Sequence, residues 1–181
     1  IPDYLITVTS QDASAAVNRN RGLEEAESDL VVMVDDDIEC LPQGWGKALV
    51  DVLRENPDCV TVSARLMNPD GTPGPMLRNP PPTKDTGLTI AGALLTACAA
   101  FRNDGLRFDE NFLGSGFEDD AYCFCLREKY PNGIFLINEG VRVIHRNEMK
   151  NQGFIKGVGP VPGGNFEKNR AYYESKWSTK R

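Results

Sequence analysis

The sequence predicts an α/β domain of several layers with a mixed, mainly parallel sheet. Three observations predict it. Apolar, β-branched segments alternate with segments of helical period along the chain. The run Leu30-Val31-Val32-Met33-Val34 is apolar without a break, as in strands covered on both faces. It ends abruptly in Asp35-Asp36-Asp37, so acidic groups collect at a strand's carboxyl end. With 181 residues, the chain suits one domain spanning 1–181.

The elements follow in order. Tyr4 to Thr9 is apolar and β-branched and predicts a strand. Ser14 to Ser28 places Ala15, Ala16, Leu23 and Ala26 on a helical period, with Glu24, Glu25 and Glu27 outside it. Leu30 to Val34 is the buried strand. Trp45 to Glu55 is an amphipathic helix that Asn56-Pro57 stops. Cys59 to Leu66 is a strand. Asn68 to Thr86, rich in Pro and Gly, is a long surface loop. Ile90 to Phe101 fits strand or helix equally well. A helix begins near Asp119 and stops at Pro131-Asn132-Gly133. Ile134 to Ile137 and Val141 to His145 are two short strands. The segment 151–164 holds five glycines and two prolines and is expected to act as a lid. Asn165 to Trp177 is a last helix.

Composition narrows the function. The net charge is -6 and the pI about 4.9, which excludes a broad nucleic-acid surface. A single nucleotide remains compatible, because one bound divalent cation reverses the local sign of an acidic site. Five cysteines, an odd number without a regular framework, read as reduced packing residues and not as a disulfide scaffold. No apolar run reaches the roughly 18 residues needed to span a bilayer. No signal peptide opens the sequence, so the cytoplasm is the default expectation.

Three groups of residues carry chemistry. Asp35, Asp36 and Asp37 repel one another, and a hard divalent cation such as Mg²⁺ or Mn²⁺ is the simplest compensation. Capping of the following turn explains them equally well. Glu118-Asp119-Asp120 follows Gly114-Ser115-Gly116-Phe117. Carboxylates there complement a helix dipole, and one of them is also placed to serve as a general base. His145, the only histidine, ends an apolar strand and is either structural or a metal ligand.

Taken in order, these groups resemble family 2 glycosyltransferases of the GT-A fold. The stretch NRGLEEAESDLVVMVDDDI is similar to the family's approach to its metal motif. The stretch LRFDENFLGSGFEDDAYCFCLREKYPNGIFLINEGVRVIH, with Phe108-Asp109-Glu110 inside it, is similar to the acceptor-side segment. NRAYYESKW resembles the tail of some members. The resemblance implies a Rossmann-type three-layer fold and a hexosyltransferase-type enzyme. The implied donor is a nucleotide-diphosphate sugar, UDP-linked in most such domains, and the acceptor a hydroxyl of a glycan or other molecule. Mn²⁺ or Mg²⁺ would be required, and displacement would invert the anomeric carbon.

Residue by residue, the resemblance makes Asp37 a metal ligand and His145 a further one. Asp35 would contact the ribose or share the metal, with Asp36 beside it. Asp119 would be the catalytic base, with Glu118 close to the acceptor. Arg19 or Arg21 would help hold the nucleotide or diphosphate. Arg146, Lys150 or Lys156 would close over the phosphates. Members usually begin with a strand ending near Pro-Thr-Tyr-Asn and a second ending in Asp-Gly-Ser, and neither occurs here. The resemblance thus implies that the first βαβ portion would be missing or abbreviated. Ile6 to Ser10 would stand in for one strand, making Thr9, Ser10 and Asp12 candidates for the base and ribose pocket. Two rivals remain: a sugar nucleotidyltransferase, whose basic Gly-rich phosphate loop is not found here, and a non-catalytic carbohydrate-binding or Ca²⁺-stabilised module.

Overall fold

The structure, a computed structural model, describes residues 6–8, 14–74, 87–146, 154–155, 159–160 and 165–177. Its helices are α1 (Ala15–Glu25), α2 (Trp45–Glu55), α3 (Glu118–Lys129) and α4 (Asn165–Trp177). Its strands are β1 (Leu30–Val34), β2 (Ile38–Glu39), β3 (Cys59–Met67), β4 (Leu88–Ala91), β5 (Cys98–Arg102), β6 (Ile134–His145), β7 (Phe154–Ile155) and β8 (Gly159–Pro160).

The central sheet runs β1-β5-β3-β6-β2, and β4 also pairs with β6. Only β3 and β6 pair in parallel; the other four pairings in this sheet are antiparallel. This corrects the expectation of a mainly parallel sheet. The apolar run of β1 indicated coverage on two faces, and it has that. Leu30 and Val32 pack on the α2 side, Val31 and Met33 on the opposite side. An apolar pattern reports what covers a strand's faces, not the direction of its neighbour, and β5 turns out antiparallel.

Three layers follow from the two cores. On one face Leu49, Val50 and Leu53 of α2 pack on Val62, Ala64, Leu66, Cys98 and Ala100. On the other, Ala16 and Leu23 of α1 and Tyr122, Cys123 and Leu126 of α3 pack on Val60, Phe101, Phe135 and Ile137. A third cluster joins α4 to α3 through Phe112, Ala121, Tyr173 and Trp177. Asn56 Nδ2 donates to Val52 O at 2.8 Å and closes α2 just before Pro57, where the sequence predicts its end.

The two strands expected at 134–137 and 141–145 are one strand, β6, with an irregularity between them. Its partner register jumps from Asn138 opposite Ala64 to Arg142 opposite Arg65. The extra residues invert the side-chain phase, so Phe135 and Ile137 face one core and Val141 and Val143 the other. Glu139 holds the bend, accepting from Arg65 Nε at 2.7 Å and Thr89 Oγ1 at 2.6 Å.

The ambiguous stretch 90–101 divides into the end of β4, a turn and most of β5. Residues 6–8 form no strand, and the rest of the Tyr4–Thr9 segment lies outside the described residues. So do most of the loop expected over 68–86 and most of the lid-like 151–164, apart from the β7–β8 pair. No helix among the described residues is long and apolar enough to cross a membrane. All five cysteines are free thiols.

Candidate active site

The site forms where β1, β6 and the start of α3 meet. β1 brings Asp35 to the end of the sheet, and Asp35 N donates to Ala97 O at 2.8 Å. The chain then turns, with Ile38 N bonded to Asp35 O at 3.2 Å, and β2 pairs Ile38 with His145 at the end of β6. The turn thereby carries Asp37 to the histidine: Asp37 Oδ2 lies 3.2 Å from His145 Nε2. His145 Nδ1 is buried with no hydrogen-bond partner. Asp36, between them, is exposed.

α1 approaches from the side. Ser14 caps it, accepting from Val17 N, and its inner face presents Arg19 and Asn20. Asn20 Oδ1 accepts from Phe108 N at 2.8 Å, and Asn20 Nδ2 donates to Phe108 O and Glu110 Oε1, both at 2.9 Å. This fixes the helix against the Phe-Asp-Glu stretch. Arg19 is 8% exposed, its guanidinium 5.4 Å from the centre of the Phe108 ring. Arg19 Nη2 donates to Asp35 Oδ2 at 2.9 Å, and Nη1 donates to Glu118 Oε1 at 2.9 Å and Asp119 Oδ1 at 3.1 Å. Arg21, two residues further round the helix, is exposed.

Glu118 and Asp119 open α3 and are buried. Thr96, from the turn between β4 and β5, donates its hydroxyl to Asp119 Oδ1. Glu118 Oε2 accepts from Gly116 N. One guanidinium cannot neutralise three carboxylates. Burial, the largest influence, together with Asp119 raises the Glu118 carboxyl to about 7 in spite of Arg19. Burial also raises Asp119, with Asp35 adding to it, against the opposing pull of Arg19 and Thr96. Burial disfavours the charge on Arg19 itself, yet Asp35, Asp119 and Glu118 together hold it above its ordinary value.

Sequence-predicted residues thus fall into three groups. Arg19, Asp35, Glu118 and Asp119 share one bonded network, and Asp37 meets His145 beside it. Arg21 and Asp36 are exposed, and Arg146 pairs with Glu39 at 2.6 Å on the surface. Thr9, Ser10, Asp12, Lys150 and Lys156 lie outside the described residues. The sequence did not single out Thr96, and it placed Asn20 and Phe108 only within the stretches that carry the resemblance, without a role of their own; their partners lie 23, 88 and 88 residues away.

The donor set of Asp37 and His145 fits a hard divalent cation. Adjacent ligands of an octahedral ion with bonds of about 2.0–2.1 Å stand about 3 Å apart. The 3.2 Å separation of Nε2 and Oδ2 permits such a pair and is also an ordinary hydrogen-bond distance. Among the described residues no set of three His, Cys, Asp or Glu side chains gathers as a metal site. Ions of this type are commonly held by one or two carboxylates and completed by substrate phosphates and water.

Comparison with known proteins gives the family and the fold. The model for "Glycosyl transferase family 2" matches residues 3–112, more than half the chain. No curated protein gives a significant match. Among solved structures, that described as GalNAc-T7 with UDP, GalNAc and Mn²⁺ superposes with a TM-score of 0.64 at 13% identity. The superposition covers 93% of this chain but only 36% of the other. At that identity the likeness establishes the fold, a GT-A-like one. By that family match across more than half of its length, the chain belongs to glycosyl transferase family 2.

Proposed function

We propose that this domain transfers a sugar from a nucleotide-diphosphate sugar, UDP-linked, to an acceptor hydroxyl with inversion. The observation that carries this reading is the Arg19 network, which ties Asp35 on the donor side to Glu118 and Asp119 on the acceptor side. Its support also includes the family match and a fold neighbour solved with UDP, GalNAc and Mn²⁺.

Asp37 and His145 would hold the divalent ion, Mn²⁺ or Mg²⁺, and Asp35 would face the ribose or complete the ion's ligands. When bound, that ion supplies positive charge against the departing diphosphate. Asp119 has Oδ1 fixed by Arg19 and Thr96, which sets the direction of its carboxyl. It takes the proton of the acceptor hydroxyl as that oxygen bonds to the anomeric carbon. The bond from that carbon to the diphosphate oxygen breaks on the opposite side, and the diphosphate leaves with its electron pair. Burial raises the Glu118 carboxyl above its ordinary range, which favours less negative charge next to the acceptor. The acceptor is a glycan or other hydroxyl-bearing molecule.

The test is a pair of variants. Asp119→Asn should bind UDP with Mn²⁺ as wild type does and lose transfer of sugar from a panel of UDP-sugars. Asp37→Ala should lose the Mn²⁺-dependent part of UDP affinity measured by calorimetry. Full transfer by Asp119→Asn, or UDP binding indifferent to Mn²⁺ in wild type, would overturn the reading.

A further inference from the structure

α4 buries Asn169, Tyr173 and Trp177, spaced four residues apart and so on one stripe. Two are aromatic and enter the cluster with Phe112, Phe117 and Phe124. The third is an amide, and it is 1% exposed. Asn is a poor helix-interior residue, and a buried amide is costly unless its polar atoms are paired. Here they are paired, all to one loop. Asn169 Oδ1 accepts from Leu113 N at 2.8 Å. Asn169 Nδ2 donates to Leu113 O at 2.8 Å and Gly116 O at 3.0 Å, with Ser115 O at 3.4 Å.

That loop leads straight into α3, and its backbone is unusual. Gly114, Gly116 and Phe117 have φ of +63°, +109° and +71°, all left-handed. For Phe117 such a conformation is strained and persists only where the surroundings impose it. The first turn of α4 also covers the glycines. A Cβ on Gly114 would meet Asn165 Nδ2 at 3.3 Å, and one on Gly116 would meet Phe166 Cδ2 at 3.3 Å. The Gly116 residue is the link: its carbonyl accepts from Asn169, and its N–H donates to Glu118 Oε2. Glu118 in turn shares Arg19 Nη1 with Asp119.

We propose that Asn169 is a positioning residue that holds the 113–117 backbone in its left-handed path and thereby sets the placement of Glu118 and Asp119 at the start of α3. It touches neither donor nor acceptor and acts through Gly116. The effect on rate rests on the reading of Asp119 as base; the effect on the loop does not.

Three variants test it. Asn169→Ala should raise amide exchange at residues 113–117, read by mass spectrometry, by roughly tenfold or more. It should lower the transfer kcat roughly tenfold to a hundredfold, as small misplacements of reacting groups do, with the donor KM within about twofold. Asn169→Asp keeps the acceptor for Leu113 N and removes both strong donor bonds, so it should keep Leu113 protected and expose Gly116 and Phe117. It also keeps the proposal testable if the Ala variant does not fold. Lys176→Ala removes the bond of 2.6 Å from the far end of the same helix to Asp109, and should leave kcat and loop exchange within about twofold of wild type. Wild-type exchange at 113–117 in both Asn169 variants would overturn the proposal, as would an equal loss of kcat in Lys176→Ala. Raised exchange with an unaffected kcat would show that the loop is held by Asn169 but does not position a catalytic group. Full transfer by Asp119→Asn would instead remove the assignment of the base and leave the exchange result standing.

Discussion

Arg19 stands 3.1 Å from Asp119, and its guanidinium reaches Asp35 with its other terminal nitrogen at 2.9 Å. A single cation from α1 thus joins two carboxylates distant in the sequence, one at the end of β1 and one at the start of α3. Such a buried group is costly to break, because removing one partner leaves the others as uncompensated charges.

Arg19→Met should therefore destabilise the domain by about 3–5 kcal/mol. Denaturant unfolding followed by circular dichroism reads this directly. Arg19→Lys should not restore the loss, since one ammonium cannot serve three carboxylates through a fixed fork. A loss under about 1 kcal/mol in Arg19→Met would show that the network contributes little.

His145→Ala should weaken Mn²⁺-dependent UDP binding while sparing the fold, because the imidazole lies at the end of β6 and is part of no hydrophobic core cluster. Calorimetric titration with and without Mn²⁺ should show an affinity loss of about tenfold or more only in the presence of the ion. An equal loss in both conditions would mean that the imidazole supports the pocket and not the ion.

The Glu118 carboxyl gives stability a definite pH dependence. Its folded value, about 7, lies above the ordinary 4.5, so the folded chain binds that proton more tightly than the unfolded chain. Its contribution is fully present below about 4.5 and is lost as pH rises toward 7. With a chelator present, the melting temperature of wild type should fall relative to Glu118→Gln across that window. Parallel curves for the two proteins would contradict the raised value.

The thiols make a fourth test. Burial pushes Cys59, Cys98 and Cys123 up to about 12, whereas Cys40 is exposed. A maleimide at neutral pH should label Cys40 first in the native protein, and the three buried thiols only after unfolding. Labelling of Cys123 at the rate of Cys40 would show that the α3 core opens readily.

The sequence by itself determined most of the elements and where their acidic residues fall. Helix α2 lies where period and stop signals put it, α4 spans the segment expected as a last helix, and β1 delivers its aspartates at the expected end. Those properties are local: apolar spacing, a Pro or Gly break, a charged terminus. The sequence was also sufficient to gather Asp35, Asp37, Glu118, Asp119 and His145 as one set through their ordered resemblance to a family.

Tertiary structure alone decided the rest. Strand direction is set by which neighbour closes the hydrogen bonds, and the antiparallel β1–β5 pair could not be read from an apolar run. The phase change in β6 depends on where β3 and Glu139 hold the bend. Above all, the sequence offered Arg19 or Arg21 without choosing between them, and Asn169 looks like an ordinary helix residue until the chain folds. Their partners lie 16 to 100 residues away for Arg19 and 53 to 56 for Asn169. A buried charge or amide gains its meaning only from the distant groups that satisfy it, and no window of sequence contains both.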